Sequence, residues 1–280
     1  MRLIRDIMKN IGVIGLALGV FIVGSIGGNI IQPIFANYYL ALIVPCIVRS
    51  VLTIALAGFV FSKFLKINPD ELGIKLKMID VKWIIIAVAL PSLVLAFYAY
   101  LLNGDAHIAG DRPFLEYLVY AVFGVGIPAG INEELAFRGM IFRYMKKTLG
   151  VKIAVVVPAV LFACLHISNM QTFDLTDLIL LILAGSSVSI MFTLMALDSD
   201  SIYPGALAHT LWNTLIIGGI FGVGEIVNGA SNDSFIVISI ESANKLLTGG
   251  NFGIEAAVPA IAGYIIVSVI GFIFYKRKES

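Results

Sequence analysis

The sequence predicts an all-α polytopic membrane protein, a single transmembrane domain over 1–280 with about eight transmembrane helices around an intramembrane polar cavity. Three observations predict it. Hydrophobic residues make up 59% of the chain and charged residues 13%, against about 25% charged residues in a soluble domain; the mean hydropathy is +0.98. The apolar residues fall in runs near the ~20 residues that a membrane helix needs. Basic residues, finally, gather in every second connection between those runs.

The first span, about 11–35, follows Arg2, Arg5 and Lys9. Such a start resembles a secretory signal, but the run is long and lacks a small-x-small cleavage site, so it reads as a retained span. Gly15 and Gly19, and Gly24 and Gly28, stand at small-xxx-small spacing and predict packing against another helix of the same chain. Spans two and three, about 38–64 and 83–102, are joined by a loop with Lys63, Lys66, Lys75, Lys77 and Lys82. Span four, about 114–146, is too long for one straight crossing, and "GVGIPAG" (Gly124 to Gly130) is expected to loosen or kink it. Spans five to eight are about 152–169, 177–197, 202–222 and 256–275. Arg143, Lys146, Lys147 and Lys152 lie between spans four and five, and Lys276, Arg277 and Lys278 end the chain. The alternate loops carry only Arg112 and Lys245. With eight spans, both termini and every basic loop fall on one side, expected to be cytoplasmic. Residues 223–255 form one long outside loop, in which "SFIVISI" alternates as a short strand or interfacial segment does. Cys46 and Cys164 lie in apolar runs and read as small buried hydrophobes. No repeat and no nucleic-acid signature is present.

Ionisable residues at membrane depth are costly, about 2.5–3.5 kcal/mol each on insertion scales, and persist where they pair or line a wet cavity. The candidates are Arg49, Glu133, Glu134, Arg138, His166, His209 and Asn213. Glu134 and Arg138 are i and i+4, one turn apart on one helix face, so each satisfies the other. Glu133 points about 100° away around the helix and has no partner there. A carboxylate in that situation suits a general base. His209 and Asn213 are also i and i+4. Counting from the flanking charges at ~1.5 Å per residue, Glu133, His166 and Asn213 lie roughly 20 Å in, and His209 roughly 14 Å. One shared polar site explains this better than a scatter of separate buried polar residues. His107 sits in an outside loop and reads as solvated.

These residues also form a pattern. "EELAFR" (Glu133 to Arg138) matches E-E-x-x-x-R, "FACLH" (Phe162 to His166) matches F-x-x-x-H, and "HTLWN" (His209 to Asn213) matches H-x-x-x-N. Their order and spacing on three apolar spans resemble the CPBP family, the CAAX protease and bacteriocin-processing enzymes, also called Abi. "ELGIK" (Glu71 to Lys75) with Trp83, and "LLTGGNFGIE" (Leu246 to Glu255), resemble softer family features. The motif core covers about 113–222.

The resemblance implies an intramembrane endopeptidase. Glu133 and His166 would activate water, His209 and Asn213 would hold the oxyanion, and Glu134 and Arg138 would order the site. Its substrate would be a peptide or membrane-anchored protein, lipidated ones included. No cofactor is required in this reading. The same residues allow a second chemistry, with Glu133, His166 and His209 holding a divalent metal such as zinc. The glutamate reading is preferred because a general base alone meets the chemical need. A non-proteolytic immunity or scaffold protein and a proton-coupled carrier are the other classes; the absence of an inverted repeat argues against the carrier. Arg49 is expected to pair internally, with a motif carboxylate or Glu116, or to meet a substrate's C-terminal carboxylate. The expected location is a bacterial plasma membrane, with lipid as the surrounding partner.

Overall fold

The structure is a computed structural model that describes residues 2–74, 78–170, 173–224, 233–242 and 244–279. Lys75 and Lys77 of the basic loop, and 225–232 of the outside loop, lie outside the described residues. The chain is an all-α integral membrane protein with one small sheet. The helices are α1 (Arg2–Ile31), α2 (Leu40–Lys63), α3 (Val81–Ala96), α4 (Phe114–Leu149), α5 (Val151–Leu165), α6 (Leu175–Ser199), α7 (Tyr203–Trp212) and α8 (Val258–Glu279). Apolar side chains such as Val51, Ile85, Leu93 and Ile266 are exposed along the outer faces, as a lipid-facing surface requires.

Among the described residues, seven helices are long and apolar enough to cross a membrane by length and composition. The seventh span expected from the sequence, 202–222, is the exception. It is the ten-residue α7 continued by five residues of π-helix, Asn213–Ile217. At ~1.5 Å per residue this covers roughly 22 Å, less than the ~30 Å of hydrocarbon. It still runs between the same two ends of the molecule as the others.

Polar contacts define those ends. At one, Asn10 donates to Thr148 (2.9 Å), Lys147 pairs with Glu71 (3.2 Å) and Arg143 with Asp200 (2.9 Å). The described residues of the basic loops and the C-terminal Lys278 therefore collect at one end, as their alternation along the chain predicts. At the other end three strands pair in the order β1-β3-β2: β1 (Asp105–Ile108), β2 (Phe221–Gly224) and β3 (Ile236–Ser239). β3 is the strand that "SFIVISI" predicts. It runs antiparallel to β1 and parallel to β2. His107 is on β1, remote from the motif residues.

A buried carboxylate locks the basic end. Asp198 accepts from Trp83 Nε1 (2.9 Å) and pairs with Lys82 (2.7 Å) and Lys278 (2.9 Å), tying α6 to α3 and α8. Trp83 and the Asp198 side chain are 0% and 1% exposed. Asp198→Ala strands the indole N–H, and the lysines, which reach solvent, contribute less. A loss of about 2 kcal/mol is expected, read as a fall of about 4–8 °C in the melting temperature in detergent. An unchanged melting temperature would remove Asp198 as a lock.

Two sequence expectations are altered by the packing. Gly24 and Gly28 do pack within the chain, against Thr53 and Arg49 of α2, while Gly15 and Gly19 face open space. Cys46 is buried as expected, but Cys164 is exposed on the outer face of α5.

Candidate active site

α4 stays helical through "GVGIPAG". Its turns are loosened there into consecutive π-helical segments, Tyr120–Gly126, Pro128–Glu133 and Leu135–Phe142. Such wide turns are common at functional sites. The glycines also do more than loosen the helix. A Cβ on Gly126 would strike Thr214 Oγ1, and one on Gly130 would strike Thr210 Oγ1 and the Ala206 carbonyl. They let α4 and α7 approach backbone to backbone. Gly205 helps on the facing side, since a Cβ there would lie 3.0 Å from Glu134 Oε2.

That approach seats Glu134 beneath His209. Glu134 Oε1 accepts from Arg138 Nη1 at 2.9 Å and stands 3.0 Å from His209 Nδ1. Arg138 Nη2 also donates to Ser189 O (3.0 Å) and Ser189 Oγ (2.8 Å) of α6. Phe137, Phe162 and Phe192 surround the guanidinium at 5.2–5.6 Å. Glu134 and Arg138 are 0% and 1% exposed, so this is a desolvated, nearly saturated cluster. The i, i+4 pairing expected from the sequence is present; its extension to His209 and Ser189 is not visible in the sequence. Phe192 stacks on the His209 ring, with centroids 4.9 Å apart and planes within 17°.

Glu133 turns the other way. Among the described residues its carboxylate forms no hydrogen bond or ion pair. It lines a cavity of about 190 Å³ with His166, His209 and Asn213. α5 ends one residue before His166, which opens a 3-10 turn, His166–Asn169. α5 packs closely on α6, where Gly185 meets the Ala163 backbone. The His166 ring tilts against Phe162, and its Nδ1 is 2.8 Å from the Phe162 carbonyl.

These contacts set the imidazole tautomers. A carbonyl oxygen only accepts, so His166 Nδ1 carries the proton and Nε2 keeps a lone pair. The Glu134 carboxylate likewise calls for a proton on His209 Nδ1. Donation from His209 Nε2 as well then needs the doubly protonated ring, whose charge Glu134 faces. The cavity therefore combines an unpaired carboxylate, a ring with a free lone pair, an amide and a carboxylate-backed ring.

Arg49 is not among the cavity's lining residues. Its Nη2 donates to Asn29 of α1 at 2.6 Å, and its stem lies against Gly28, so it is part of the α1–α2 seam. It meets neither a motif carboxylate nor Glu116. Among the described residues no three His, Cys, Asp or Glu side chains group closely enough to hold a metal ion. Glu133, His166 and His209 line one cavity.

The sequence reading missed one lining residue, Glu255, which precedes α8. The signal for it was the glycine density of "TGGNFG" just before it.

The model of the type II CAAX prenyl endopeptidase Rce1-like family matches residues 113–215, the segment from the start of α4 to beyond Asn213. That segment is similar to the Rce1-like family. This agrees with the resemblance to the CPBP family, and Glu133, His166, His209 and Asn213 all fall within the matched segment. Nothing among the curated proteins or the solved structures compared matches the chain.

Proposed function

We propose that the protein is an intramembrane endopeptidase of the CAAX-protease type, hydrolysing a peptide bond with a water activated by Glu133 and His166. The observation that carries this reading is the meeting of Glu133, His166, His209 and Asn213 around one small cavity, on three separate helices of a protease-family segment. Glu133 takes a proton from the water as its oxygen attacks the carbonyl carbon. His166, with its Nε2 lone pair, orients the same water. The developing oxyanion meets the Asn213 amide and the His209 ring. Glu134 holds that ring, and Arg138 holds Glu134. Substrates are peptides or membrane-anchored proteins, lipidated ones included, reached from the bilayer. By the positive-inside rule the basic end is cytoplasmic, with both termini there, in a bacterial plasma membrane.

Purified full-length protein in detergent should cleave an internally quenched peptide at one site readable by mass spectrometry. Asn213→Ala removes one oxyanion donor and is expected to slow that cleavage about 10²–10³-fold with the melting temperature kept. Wild-type rates in this variant would overturn the oxyanion assignment. Absence of cleavage by the wild type across peptide and lipidated-peptide panels would overturn the protease reading in favour of a binding role.

A further inference from the structure

The cavity contains a second carboxylate that the water-activating and oxyanion groups leave unused. Glu255 lines it together with Glu133, His209 and Asn213. The charges of His209 and Glu133 both act on it. Among the described residues its carboxylate makes no hydrogen bond or ion pair.

The chain reaches this position through an unusual backbone. Gly249, Gly250 and Gly253 have φ of +75°, +60° and +71°. Gly253 adds ψ of −169°, a conformation essentially confined to glycine. A Cβ on Gly250 would strike the Asp177 carboxylate, and one on Gly249 the Gly253 carbonyl. Asp177, 0% exposed, accepts from the Asn251 N–H at 3.3 Å and pairs with Lys245 at 3.1 Å. Lys245 also pairs with Asp174 (3.0 Å). The Asp177 N–H, and then Lys245, hold the Asp174 carboxyl below its ordinary range. Beyond the turn, Tyr264 Oη donates to the Glu255 carbonyl at 3.3 Å, and Ala256 and Ala257 are buried. Three glycines in left-handed backbone, clamped on both sides, are more than entry into a helix needs. Glycine adopts these angles freely, and the close approaches at Gly249 and Gly250 fix the path by which the chain brings Glu255 to the cavity.

We propose that Glu255 is the general acid of this site, delivering a proton to the leaving amine. This rests on the endopeptidase reading. Glu133 accepts a proton from water as the new C–O bond forms. When the C–N bond breaks, its electron pair returns to nitrogen, which takes the carboxyl proton of Glu255. Glu255 is left as a carboxylate. The proton on Glu133 then passes to Glu255 through cavity water, restoring both groups, and one water is consumed overall. Two carboxylates facing one enclosed space divide naturally into a charged and a protonated partner.

An ester leaving group needs little protonation, so it separates this role from a structural one. The test uses full-length wild type and Glu255→Gln in detergent. One probe is an internally quenched peptide that the wild type cleaves. The other is its depsipeptide, with an ester at the bond located by mass spectrometry. Glu255→Gln is expected to cleave the amide about 10²–10³-fold more slowly, yet the ester within about tenfold of wild type, which also reports an intact fold. Glu133→Gln should lose both. Equal losses of Glu255→Gln on amide and ester, or no loss on the amide, overturn the general-acid role alone. A wild type inactive on both overturns the endopeptidase reading and this one with it.

Discussion

Glu133→Gln is expected to lower peptide cleavage about 10²–10⁴-fold and to leave the protein as stable as wild type or more so. The first half follows from the role: an amide cannot take a proton from water, and general-base catalysis is worth about 10²–10⁴-fold. The second half follows from the surroundings. Among the described residues the Glu133 carboxylate has no hydrogen bond or ion pair, and it shares a small cavity with Glu255. Replacing it by the isosteric neutral amide strands no partner and removes an unpaired, partly desolvated charge. A melting temperature in detergent that stays level or rises by a few degrees, with activity lost, is the signature of a group kept for chemistry at a cost in stability. Retained cleavage, or a collapsed fold, would each show that Glu133 is not the unpartnered base.

How far the sequence foretells this site depends on which forces act along one helix and which act between helices. The i, i+4 pairing of Glu134 with Arg138 follows from helix geometry alone and is present at 2.9 Å. So does the divergence of Glu133 from Glu134. The sidedness of the basic loops was legible because charge asymmetry is a property of the chain itself. Contacts between helices were not legible. Arg49 and Asn29 meet across two nearly uniform apolar runs, where hydropathy offers no clue to facing partners. The loosening expected at "GVGIPAG" takes the form of π-helical turns, but the helix it faces was not legible for the same reason. Glycine reads locally as a weak point, but here Gly130 also faces Thr210 of α7 and Gly126 faces Thr214 of its π-helical continuation. π-helical turns also disturb the 3.6-residue period on which sequence reading depends. Glu255 fell between segments. It lies just before the expected last span, and only a folded glycine turn carries it into the cavity.

The adjacent glutamate should behave in the opposite way, and the contrast is the sharpest test of the division of roles. Arg138→Met leaves the fully buried Glu134 carboxylate without its guanidinium and frees both Ser189 acceptors, O and Oγ. Breaking a buried pair from one side costs about 3–5 kcal/mol. A melting temperature lower by about 10 °C is expected for a chain of this size. Cleavage should fall as well, because Glu134 then shifts and His209 loses its fixed partner at 3.0 Å. The double variant Glu134→Gln with Arg138→Met removes the stranded charge and should recover much of the lost stability, since that uncompensated charge is the main cost of breaking the pair. It should recover no activity. His209 would then face a neutral amide, and the doubly protonated ring needed at the oxyanion would have lost the charge beside it. A double-mutant cycle read both as melting temperature and as cleavage rate separates the two effects. If stability and activity recover together, Glu134 and Arg138 act only as filling. If stability returns while activity does not, the cluster beneath His209 serves the chemistry above it.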